Sequence, residues 1–191
     1  MATSKLWHHG GQFLYCVNGT DDPRLYNGTA WQSVNAVSAP ISITGVTTSK
    51  FIAVTEYRSR LFFIETNSFN VWYLPVNSLG GAAASLDLTP FYKLGGYLMA
   101  MATWAVDSAG SINEYIAFIS SEGEIVVYLG TDPSVAGNFV IQAKFRIGKP
   151  LGRRCVEKVG SDVVLIGADG FFPLSKALLT DRAQLNDQIS N

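Results

Sequence analysis

Short apolar runs broken by tight-turn dipeptides constrain this chain more than any other feature. Asn18-Gly19, Asn27-Gly28, Asn67-Ser68, Glu122-Gly123 and Asp169-Gly170 each interrupt stretches rich in Val, Ile, Phe, Tyr and Trp. Asn and Gly tolerate the positive φ that tight hairpins need, so these dipeptides predict hairpins. Helical periodicity is nearly absent before residue 174, and the chain reads as all-β.

Four clusters of strands follow from this punctuation. The first holds Gln12–Val17, Arg24–Tyr26 and Ala30–Val34, and the second Phe51–Thr55, Leu61–Glu65 and Asn70–Pro75. The third holds Tyr115–Ser120, Glu124–Leu129 and Phe139–Phe145, and an incomplete fourth Cys155–Val159, Asp162–Ile166 and Phe171–Leu174. Tyr26, Tyr73, Tyr128 and Phe172 hold similar places in the four. A unit of ~40–50 residues with three or four strands is the pattern of a β-propeller blade. A β-sandwich spaces its strands similarly, but the recurring unit favours the propeller. Residues 12–174 then hold about three and a half to four blades, against the ~4–8 of a closed ring. An incomplete ring leaves two bare blade faces, so the expectation is part of a larger propeller completed by other sequence or other subunits.

The two ends read differently. Residues 1–11 are expected to be a flexible lead-in. Leu174, Leu178, Leu185 and Ile189 fall at helical spacing behind Ser175, a plausible N-cap, which predicts a C-terminal helix within 175–191, from about Lys176 to Ile189.

Composition excludes several classes. Fourteen Lys and Arg nearly cancel fifteen Asp and Glu, which excludes a coat that condenses nucleic acid by bulk charge. Charged residues are only 15% of the chain and mean hydropathy is +0.18, which points to apolar surface covered by partners. Cys16 and Cys155 are too few for a disulfide framework. The uncharged stretch from Leu94 to Val106 falls short of the ~18 residues of a membrane span. No secretory signal is visible, and synthesis in a reducing cytoplasm is the expectation.

Catalytic signals are sparse. The only histidines, His8 and His9, are adjacent near the start, a poor arrangement for one metal, so no metal and no cofactor is expected. A histidine-based triad lacks its general base unless one of them folds back. The carboxylates Asp21, Asp22, Glu122, Glu124 and Asp132 sit in turn contexts, where such side chains usually shape turns rather than cleave glycosides. Asn18 and Asn27 open sequons better explained as hairpin turns. The one charge feature is the segment 144–158, where Lys144, Arg146, Lys149, Arg153, Arg154 and Lys158 face a single acid, Glu157. Such a cluster suits a subunit contact or sequence-independent contact with DNA phosphates; the plainer reading is a solvated basic edge that blocks strand-on-strand association.

Several stretches resemble the propeller region of a tail protein of short-tailed phages, the tail hub, tail nozzle or packaged-DNA stabilisation family. They are Gly11 to Gly19, Pro23 to Thr29, Arg60 to Glu65, Val71 to Val76, Gly80 to Ala83, Gly130-Thr131-Asp132-Pro133 and Phe145 to Gly152. The likeness runs over roughly residues 10–185. It implies a non-enzymatic structural component of the virion tail, made in the host cytoplasm, that extends the portal channel and helps retain packaged DNA. The partners it implies are portal and adaptor proteins, other tail subunits and a homo-oligomeric ring, with the 146–154 loop as a subunit or DNA contact. Family members are longer, so this chain would be an internal portion. The competing expectation is a carbohydrate-binding or glycan-cleaving propeller of a receptor-binding tail component, motivated by Trp31, Trp72, Trp104, Tyr15 and Tyr26.

Overall fold

The computed structural model describes residues 2–8, 11–108, 111–160 and 162–179, and the chain divides into two compact units, Met1–Pro90 and Phe91–Asn191. The division falls inside the stretch 12–174 that the strand grammar joins. Each unit is built mainly from antiparallel sheets whose strands follow one another in chain order, the first unit adding one two-stranded parallel pair, and a short helix follows the last described strand. No helix among the described residues is long and apolar enough to cross a membrane.

In the first unit, β1 (Ala2–His8), β2 (Gly11–Val17), β3 (Arg24–Tyr26) and β4 (Trp31–Ser33) form one sheet in that order. The turns follow from their asparagines. Asn18 Oδ1 accepts the backbone N–H groups of Thr20 and Asp21, and Asn27 Oδ1 those of Thr29 and Ala30, at 2.8–2.9 Å. After β5 (Ile43–Thr44), β6 (Phe51–Tyr57), β7 (Arg60–Glu65) and β8 (Asn70–Tyr73) begin a second sheet. β9 (Gly81–Ala82) pairs in parallel with β5, and β10 (Ala84–Asp87) returns to complete that sheet. The β5–β9 clasp requires glycine at position 80, because a Cβ there would strike Ser42 O.

Alternation decides what the two sheets bury. Tyr15 and Leu25 of the first meet Phe51 and Phe63 of the second; the Tyr15 and Phe63 rings lie 5.6 Å apart edge to face, and those of Phe51 and Phe63 stack at 4.4 Å. All four side chains are fully buried, each worth ~1.5–3 kcal/mol relative to exposure. Within Leu61-Phe62-Phe63-Ile64 both parities are buried, so β7 reads as a continuous apolar run.

The second unit repeats the plan. β11 (Leu98–Ser108), β12 (Ser111–Ser120), β13 (Glu124–Gly130) and β14 (Phe139–Arg146) form a third sheet in chain order. β15 (Val156–Val159), β16 (Asp162–Gly167) and β17 (Gly170–Pro173) form a three-stranded fourth, and α1 (Leu174–Leu179) follows. Ala117, Ile119, Ile125, Val127 and Phe145 of the third sheet pack against Val163, Leu165 and Phe172 of the fourth.

Two expectations change. The segment 1–11, expected to be a flexible lead-in, contains β1, whose seven residues pair with β2 from Ala2↔Val17 to His8↔Gly11. Backbone pairing overrides polar composition there. The uncharged stretch from Leu94 lies largely in β11. The helix starts at Leu174, not after a Ser175 cap: Asp162 Oδ1 accepts the Ser175 backbone N–H at 3.1 Å, and Asp162 Oδ2 its hydroxyl at 2.5 Å. The remainder of the expected helix, with Leu185 and Ile189, lies outside the described residues.

The register also re-aligns the repeat. The second and third strands of the four sheets pair Leu14↔Tyr26, Phe63↔Trp72, Phe118↔Val126 and Leu165↔Phe172. Tyr26 and Phe172 are therefore equivalent. Tyr73 is one residue out of step and faces the opposite side, and Tyr128 is two residues out of step, opposite the bulge that Gln142 makes in β14.

Candidate functional site

Strand β14 sets the first part of the basic cluster. Lys144 and Arg146, two residues apart, fall on one face of the sheet, opposite Val126 and Glu124 of β13. Both are exposed. The Lys144 ammonium sits 4.5 Å from the centre of the Phe91 ring, a cation–π contact that holds it over the sheet.

Beyond Arg146 the chain does not project freely. The Ile147 N–H donates to Gly123 O at 3.0 Å, Leu151 to Ile166 O at 3.2 Å and Ala168 to Lys149 O at 2.8 Å. Pro150 is buried and bridges to Gly167. Gly148 lies so close to the Asp169 carboxylate that a Cβ would collide with it. These contacts stitch the loop along the β12–β13 turn and the end of β16, which makes the segment a fixed ledge.

The ledge spreads its charges apart. Lys149 Nζ lies 2.6 Å from Glu122 Oε2, a surface ion pair that offsets part of its charge. Arg153, Arg154 and Lys158 are exposed, the last on β15 opposite Val163. Arg146 stands over a notch of about 160 Å³ bordered by Gly148, Asp169, Phe171 and Phe172. With Glu122, Glu124, Glu157 and Asp169 interleaved, the six cations make a mixed surface rather than one basic patch. A surface of this kind adds salt-dependent attraction to a polyanion or an acidic protein face, and fixes no single ligand.

The carboxylates proposed for glycoside cleavage are engaged locally. Glu122 is in the Lys149 pair, and Asp132 Oδ1 accepts the Ser134 N–H and hydroxyl. Glu124 accepts the backbone N–H groups of Lys93 and Leu94 at 2.9–3.0 Å, a clamp that sequence reasoning missed because the partners lie thirty residues away. Asp21 and Asp22 border a polar hollow of about 370 Å³ with Cys16, Asn18, Arg24 and Ser33. Asp21 accepts from Asn18 Nδ2 at 2.7 Å, and Asp22 from Asn35 Nδ2 at 2.9 Å and Thr48 Oγ1 at 3.0 Å. Asp21 thus braces the β2–β3 connection internally, and Asp22 pins it to two later segments.

The thiols are buried too. Burial pushes Cys155 up to about 11 and raises Cys16 above its ordinary value, so neither is a poised nucleophile. His8 ends β1, and His9 lies outside the described residues. Among the described residues no group of three or more His, Cys, Asp or Glu is placed to hold a metal ion.

No protein-family model matches the chain, and no curated protein matches it.

Proposed function

We propose that the four sheets are successive blades of a β-propeller and that the chain is a structural wall component of a short-tailed phage tail, of the hub, nozzle or head-closure kind. The observation that carries the propeller is the repeated register. Each sheet runs in chain order from its first strand outward, apart from the β5–β9 clasp beside the second, and the second and third strands pair at equivalent positions in all four. Contacts of β1 and β2 with β6, and of β11 with β15 and β16, place leading strands side by side, as stacking blades require.

A wall role fits the chemistry at hand. The turn carboxylates hold the scaffold together, the thiols are protonated and buried, and the exposed cations sit on a rigid ledge. In that reading the 146–154 ledge meets a neighbouring subunit or the DNA backbone, while the blades supply stiffness. The tail assignment itself rests on the resemblance of the sequence stretches quoted above.

Mass spectrometry of purified particles from a phage carrying this gene tests the reading. The chain should be present at a few to a few tens of copies per virion, in keeping with a ring. Replacing Arg153 and Arg154 by alanine should leave the circular-dichroism spectrum unchanged and lower incorporation. Particles that assemble and package fully without the chain would refute it.

A further inference from the structure

The same pair of positions behaves differently in one sheet of the four. One residue past Leu14, Phe63, Phe118 and Leu165 stand Tyr15, Ile64, Ile119 and Ile166, paired with Leu25, Val71, Ile125 and Phe171 on the next strand. In the first three sheets both members are 0–1% exposed. In the fourth, Ile166 is half-buried and Phe171 is 77% exposed, with Val159 of the same face at 58%. Parity puts Val159, Ile166 and Phe171 on one side of the sheet and Leu165 and Phe172 on the other.

Packing within each unit shows what this face is shaped to meet. The Tyr15/Leu25 side of the first sheet packs on the Phe63/Trp72 side of the second. The Ile119/Ile125 side of the third packs on the Leu165/Phe172 side of the fourth. The next sheet in such a series would offer the side equivalent to Phe63/Trp72. In the first sheet that side carries Leu14 and Tyr26, and beside Tyr26 the indole of Trp31, 52% exposed and 5.1 Å from the Tyr26 ring. Among the described residues there are therefore one uncovered donor face and one receiving face with an exposed aromatic, each the counterpart of faces that already pack within the units.

From this we infer that the Phe171 face of the fourth sheet docks on the Trp31 face of the first sheet of a second copy, head to tail. The inference rests on the stacked-blade reading of the sheets but not on the phage assignment. Exposed aromatic side chains are the usual anchors of such contacts, and head-to-tail contacts close into rings when the rotation between copies permits.

Sedimentation of the full chain at about 10–100 µM tests it. The wild type should associate, and Phe171→Asp and Trp31→Asp should each sediment as monomers with unchanged circular dichroism. Mixed in equal amounts, the two variants should pair one to one, because one keeps the donor face and the other the receiving face. Val159→Asp replaces Phe171→Asp if the latter does not fold. A monomeric wild type, association insensitive to either substitution, or variants that fail to complement would each overturn the inference. The blade reading is tested separately by the coupling of the Phe145 and Phe172 rings within the second unit, so the two failures are distinguishable.

Discussion

The ring of Phe145 on β14 lies 6.1 Å from that of Phe172 on β17, tilted by 39°, across the interface between the third and fourth sheets. Neither strand pairs with the other, so this contact is one of packing between sheets and not of the hydrogen-bond ladder.

If sheet stacking holds the second unit together, Phe145→Ala, which empties a site only 9% exposed, should cost about 3–5 kcal/mol. Phe172→Ala should cost less, since that ring is half-buried. A double-mutant cycle should return a coupling of about 0.5–1.5 kcal/mol, the range of a good aromatic pair. Urea unfolding of the four proteins measures it. Strict additivity would mean that the sheets do not lean on each other here, and the stacked-blade reading would lose its support in this unit.

The Glu124 clamp yields a second prediction. Its two oxygens take the N–H groups of Lys93 and Leu94, and Tyr92 beside them is 7% exposed with its hydroxyl donating to Phe118 O at 2.8 Å. Glu124→Gln keeps the shape, removes the charge and turns one acceptor into a donor facing an N–H. The expected loss is about 1.5–3 kcal/mol, the scale of hydrogen bonds to a charged group. Amide exchange at Lys93 and Leu94 should accelerate alongside. Unchanged exchange at those two amides would remove the clamp from the account.

What the sequence makes legible is what local chemistry decides. The Asn-Gly turns, three strands of each of the first three clusters and the fourth sheet follow from turn residues and apolar runs. The hairpin between β6 and β7 escapes that reading, because it turns on Arg58 and Ser59, non-glycine residues at φ 49° and 58°. Strand β11 escapes because its Ala, Met and Trp give no alternation where both parities are buried. The basic cluster was visible as a run, but its division into Lys149 held by Glu122, Lys144 over Phe91 and exposed arginines depends on the register of β13 against β14. The exposed Phe171 was invisible as such, since its sequence context matches that of the buried Val71 and Ile125.

The buried thiol gives the final prediction. Cys155 is 2% exposed, and burial moves it from an ordinary 9.0 to about 11, so folding favours its protonated form. Its stabilising contribution is complete below about pH 9 and is lost as pH rises through about 11, because the unfolded chain releases the proton first. Tyr15, Tyr92 and Tyr128 are raised in the same direction by burial, Tyr128 to about 12, and add to the alkaline loss. A difference measurement therefore isolates the thiol. Stability curves of wild type and Cys155→Ala should run parallel below pH 9 and converge between pH 9 and 11. In the native wild type at pH 8, iodoacetamide should label neither Cys155 nor the buried Cys16 at the rate seen in denaturant. Native labelling as fast as unfolded labelling would show that the interface between the third and fourth sheets opens readily, against the rigid wall on which the functional reading depends.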